Sequence, residues 1–125
     1  MKKGILIKRK LDGLRLEIKL VDLDSDKSVS ELDQIYKLLE VDLIDVVEHE
    51  GMSIYVDDEG LLKSDPKLTM IIRDRNQKLY GNLLILGGVN DEGETLGISE
   101  EDAVALSKSE ILLHRETGMQ LLAWY

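Results

Sequence analysis

The chain has 125 residues, 43% of them hydrophobic and 33% charged, with a net charge of −9 and no cysteine. That is the length of one domain, with apolar residues enough for a core and too many for a disordered chain. The composition excludes a disulfide scaffold, thiolate metal ligands and a cysteine nucleophile, the apolar runs are too short to span a membrane, and the charge opposes duplex nucleic acid and anionic membranes.

The opening residues carry an apolar run too short for a signal segment, so a cytoplasmic location is expected. Residues 14–20 then alternate apolar and charged, the period of a half-buried strand. Residues 4–10 are its hairpin partner across Asp12-Gly13. This reading puts Leu14, Leu16, Ile18 and Leu20 on the inner face. A polar loop over 22–27 follows. Its Asp22, Asp24 and Asp26 alternate as calcium ligands do, but Lys27 stands where a calcium loop needs glycine, so it reads as a solvated loop. Ser28 and Glu31 have capping-box spacing, and Leu32, Ile35, Tyr36 and Leu39 form the stripe of an amphipathic helix over 29–40.

Residues 43–49 and 52–56 read as a second hairpin joined at His49-Glu50-Gly51, and Asp57-Asp58-Glu59-Gly60 as another turn. Strands are expected over 68–73 and 79–86, with Gly87-Gly88 closing the second. Ser99 with Glu100, Glu101 and Asp102 opens a second helix, its acids complementing the helix dipole. Beyond Leu106 two readings stand: a helix running to Thr117 with Gly118 as its C-cap, or a stop near Lys108 and a hairpin over 110–125. The core is expected to include Ile5, Ile7, Leu16 and Ile18 from the first hairpin, and Leu32, Ile35 and Leu39 from the helix. Val46, Ile54, Val56, Ile71, Leu84 and Leu86 complete it.

Few residues point to chemistry. His49 and His114 lack metal-ligand spacing and read as a turn and a surface histidine. There is no nucleophile elbow, phosphate loop or dinucleotide fingerprint, and no metal or cofactor is expected. The more informative segment is 67–82, where Arg73, Arg75 and Lys78 face only Asp74 as counter-charge, with Tyr80 and Asn82 following. Guanidinium for phosphate, ring for stacking and amide for a base edge would suit a small anionic ring compound. The bland alternative is an exposed hairpin end. The tail Leu121-Leu122-Ala123-Trp124-Tyr125 is expected to be buried or to form a homodimer contact.

From Leu32 to Leu106 the motifs resemble a known family. They are Val41-Asp42-Leu43-Ile44-Asp45-Val46-Val47, then the strand from Gly51 to Val56 with its Asp57-Asp58-Glu59-Gly60 turn, then Tyr80-Gly81-Asn82-Leu83-Leu84-Ile85-Leu86-Gly87 and Ile98-Ser99-Glu100-Glu101-Asp102. The order is similar to the domain of unknown function 3846, with Ser64-Asp65-Pro66-Lys67 in place of the family's Pro-Pro-Asn stretch. The opening hairpin and the tail are expected to lie outside the match. The resemblance implies a small cytosolic accessory protein of a phage or of a Gram-positive mobile element, and no activity.

The fold expected is a single α+β domain over 1–125, mainly antiparallel sheet with two helices packed on it. It comprises a hairpin over 1–21, the family-like region over 28–106 and an extension over 107–125. The function expected is non-enzymatic binding, first of all counter-defence by sequestering a small cyclic nucleotide at Arg73, Arg75, Lys78, Tyr80 and Asn82. Enclosing that ligand implies a homo-oligomer. The second reading is an acidic interaction module or DNA mimic that inhibits a host protein, and the third a carboxylate enzyme that cleaves a nucleotide.

Overall fold

In a computed structural model of the chain, residues 2–9, 15–23, 30–58, 68–113 and 119–124 are described. The alternating N-terminal sequence forms antiparallel strands β1 (Lys2–Arg9) and β2 (Leu16–Leu23), paired Ile5 to Leu20 and Ile7 to Ile18. The expected Asp12-Gly13 turn lies outside the described residues. Helix α1 (Glu31–Leu39) follows. Its cap is Ser30 and not Ser28: the Ser30 hydroxyl accepts from the Asp33 amide at 3.1 Å. Strands β3 (Ile44–His49) and β4 (Met52–Asp57) form the second hairpin as expected. Then come β5 (Leu68–Ile72), β6 (Gln77–Tyr80) and β7 (Leu83–Leu86), helix α2 (Glu100–Ser107), β8 (Glu110–Leu113) and β9 (Gln120–Trp124).

The strands make two sheets, ordered β2-β1-β7-β4-β3 and β6-β5-β9-β8. All pairs are antiparallel except β5 with β9, so the fold is α+β with mostly antiparallel sheet. The strand expected over 79–86 is two strands in different sheets. Gly81 at φ 82° turns the chain between them, a conformation glycine adopts without a Cβ penalty. Of the two readings for the last third, the hairpin is the one formed. Helix α2 ends at Ser107, and β8 pairs antiparallel with β9, Ile111 opposite Leu122.

Strand β7 explains the layering. All four of its residues are buried, which suits an apolar run covered on both faces. Leu84 and Leu86 pack with Ile35 and Leu39 of α1 and with Leu6 and Leu23. Leu83 and Ile85 face the other way, into a larger core shared with Met70, Ile72, Leu122 and Trp124 of the second sheet and Leu106 of α2. Arg9 joins the two sheets at one corner, donating to the Gln120 carbonyl at 2.9 Å and to the Leu68 carbonyl at 2.6 Å.

Three expected core residues are exposed: Ile18, Leu32 and Val46. Ile18 and Val46 stand on β2 and β3, the outermost strands of the first sheet. In β2, Leu16 enters the inter-sheet core and Leu23, on the opposite face, packs beneath α1. Edge strands keep their alternation but lose their cover. In β3 the buried position is Val47. Leu32 sits in the first turn of α1, before the helix is fully over the sheet. Ile5 and Ile71 are half-buried. The tail is buried through Trp124.

Candidate functional site

The five residues expected to hold a ligand fall in two places. Strand β5 ends at Ile72, so Arg73 and Arg75 do not lie on a strand face. They sit in a 3-10 turn, Arg73–Arg75, closed by Asn76 at φ 48°. Arg73 approaches Glu110 of β8 at 3.3 Å, and Arg75 donates to the Glu48 carbonyl of β3. Lys78 is exposed on β6 near the same turn. Tyr80 ends that strand, about 7 Å from Lys78 by strand rise, and Asn82 follows the turn at Gly81. The Asn82 amide donates to the Leu39 carbonyl at 3.0 Å, satisfying an acceptor that the end of α1 leaves open.

The 3-10 turn meets the tip of the β3–β4 hairpin. His49, which reads as a turn residue in the sequence, is the last residue of β3 and is buried, its side chain 5% exposed. Its ring stands edge-on to Trp124, centroids 4.7 Å apart. Its Nδ1 lies 4.0 Å from the Asp74 carboxylate, and Glu50 follows it directly. Asp45 and Glu48, its nearest acids on the N-terminal side, are not in that group. A cavity of about 390 Å³ opens beside the hairpin, lined by residues 48–53 with Gly88 and Val89.

A second feature is apolar. Between the two sheet edges runs a groove of about 260 Å³, lined by Ile7, Ile18, Ala103, Leu106, Ser107, Ser109, Ile111 and Leu122. Strands β2 and β8 are each outermost in their sheets, and both contribute to it. Of the residues on β2, α2 and β8, which all contribute to its lining, Leu20, Val104, Ile111 and Leu113 are exposed, at 61%, 59%, 54% and 67%. Clustered exposure of large apolar side chains at a groove marks interaction surfaces more often than chance surface placement. The sequence signal for it was the run Ile111-Leu112-Leu113, apolar without a helix or strand period. Of the groove residues only Leu122, in the tail expected to be buried or to form a homodimer contact, has an interaction reading in the sequence.

Among the described residues no helix is long and apolar enough to cross a membrane. The family model described as a domain of unknown function (DUF3846) matches residues 6–110, so the chain belongs to that family. The match includes most of the opening hairpin, which corrects the expectation that this hairpin lies outside it. No curated protein and no solved structure matches the chain.

Proposed function

We propose that this member of the family is a non-enzymatic interaction module that binds an extended, basic-and-apolar segment of a partner protein. The observation that carries the reading is the groove between β2 and β8, where an exposed apolar strand lies at the outer edge of its sheet. An outermost strand presents backbone donors and acceptors that an incoming strand can pair with, while pockets beside it take alternate side chains. The partner's charge follows from complementarity: the chain carries −9, and Glu100, Glu101 and Asp102 open the helix that walls the groove. In a phage or mobile element the partner would be a host protein.

A peptide of alternating Lys and Val, labelled for fluorescence anisotropy, tests this. It should bind, and binding should weaken steeply as salt rises. Ile111→Asp with Leu113→Asp should abolish it without unfolding the chain, since both side chains are exposed. Equal binding of an alternating Glu-Val peptide, or binding unaffected by the double substitution, would discard the reading. A dimer broken by the same substitutions would assign the surface to a second copy.

Nucleotide sequestration stands second, favoured by the placement of Arg73 and Arg75 on one turn. Its test is retention of a cyclic nucleotide in native mass spectrometry and loss of that retention on replacing both arginines by alanine.

A further inference from the structure

We infer that the β3–β4 hairpin tip and the Arg73–Arg75 turn together form a binding site for a first-row divalent metal ion, with His49, Glu50 and Asp74 as protein ligands. The inference is independent of the groove.

Three observations support it. One ligand atom from each of the three side chains lies within 4.8 Å of the others. Ligand atoms around an ion at bond lengths of about 2.0–2.2 Å sit roughly 3–4 Å apart, so the approach needed is small. The two acids are exposed, while the imidazole is held in place by burial against Trp124.

The supporting backbone is tied together. Arg75 donates from the 3-10 turn to the Glu48 carbonyl beside His49, which fixes the loop bearing Asp74 against the strand bearing His49. Gly88 approaches the other side of the hairpin so closely that a Cβ there would lie 2.6 Å from the Gly51 carbonyl oxygen. A site held on two braced turns loses little conformational freedom on binding.

The third observation is room. The cavity of about 390 Å³ is lined by His49 and Glu50, so water or a small anion can complete the coordination shell. One imidazole with two carboxylates suits zinc, manganese or cobalt better than calcium, which takes oxygen ligands. The two carboxylates balance the charge of a divalent ion.

The probe is Co2+, because Trp124 is the only tryptophan and its ring touches the His49 ring. Cobalt bound there should quench tryptophan fluorescence saturably at one ion per chain. Zn2+, which binds such ligands more tightly, should displace it and restore the signal, and Mg2+ at the same concentration should not. Replacing His49 would disturb packing against Trp124, so the two exposed acids carry the test. Glu50→Gln and Asp74→Asn should each weaken cobalt binding at least about tenfold with the circular dichroism spectrum unchanged. Absence of saturable quenching, or quenching at the wild-type affinity in either variant, would overturn the proposal.

Discussion

Glu50 occupies a backbone conformation that its side chain does not favour. Residues 50 and 51 have φ of 51° and 73° between His49 and Met52, which pair across the hairpin. That is the two-residue turn with both central residues left-handed, the type I′ geometry in which Asn-Gly is strongly preferred. A residue such as glutamate in this region is disfavoured by about 1–2 kcal/mol relative to its right-handed state, and asparagine less so. Glu50→Asn should therefore stabilise the chain by about 0.5–1 kcal/mol, visible as a higher urea midpoint with an unchanged slope. A lower midpoint would mean that the Glu50 carboxylate contributes to folding. Should the substitution both raise stability and lower cobalt affinity, the carboxylate is held at this turn at the expense of stability, the pattern expected of a functional residue.

Helix α2 is specified by its cap more than by its packing. Both bonds of its capping box are made, the Asp102 amide donating to the Ser99 hydroxyl and the Ser99 amide to the Asp102 carboxylate, each at 3.1 Å. Only Leu106 is buried. A short helix with so little apolar cover opens at lower free energy than the strands beneath it. Ser99→Ala, a loss of about 1 kcal/mol at the cap, should speed amide exchange in residues 103–107 while β7 stays protected. An equal rise in exchange in both would show α2 to be part of one unit with the sheets. The start of this helix at Ser99 was legible in the sequence, though as acids on a helix dipole and not as a capping box; the cap of α1 was misplaced, because Ser28 and Ser30 each have an acid three residues on, and local pattern does not choose between them. Helix α1 and the first hairpin were legible because their periods are regular, and the second hairpin from its β-rich runs on either side of Gly51. The break at Gly81 was not, since an apolar run reads as one strand until its halves are seen to join different sheets. The parity of Val46 and Val47 was hidden by two adjacent valines of equal propensity. The site was the least legible feature. His49, Glu50 and Asp74 meet only because the second sheet folds against the first, and pairings that far apart in sequence leave no local mark. In the Arg73 to Asn82 segment the converse holds: residues close in sequence are spread along the chain, Arg73 and Arg75 in the turn before β6 and Tyr80 at the strand's other end.

The whole molecule is a stack of α1, the five-stranded sheet and the four-stranded sheet, and β7 belongs to both interfaces of that stack. Leu84 is buried in the layer under α1, and Ile85 in the layer between the sheets. Either truncated to alanine removes several buried carbons and leaves a cavity, at a cost of about 2–5 kcal/mol. The layers are not separable, because one backbone strand lines both and Arg9 pins β1 to β5 and β9. Two local probes report on them. Trp124 fluorescence follows the inter-sheet core, in which it is buried, and far-ultraviolet circular dichroism near the helix minimum follows α1 and α2. In the wild type the two should give one coincident urea transition, the mark of all-or-none unfolding. Leu84→Ala and Ile85→Ala should move both probes together to lower urea, although each substitution touches only one layer. Were Leu84→Ala to shift the helical signal and leave the Trp124 transition in place, the stack would be two foldons joined at β7. The groove between β2 and β8, built on the inter-sheet side through Ile7, Leu122 and Leu106 of α2, would then survive the loss of α1, and peptide binding in the Leu84→Ala variant would persist past the part of the helical transition that α1 contributes. Under the single-unit reading it disappears with it.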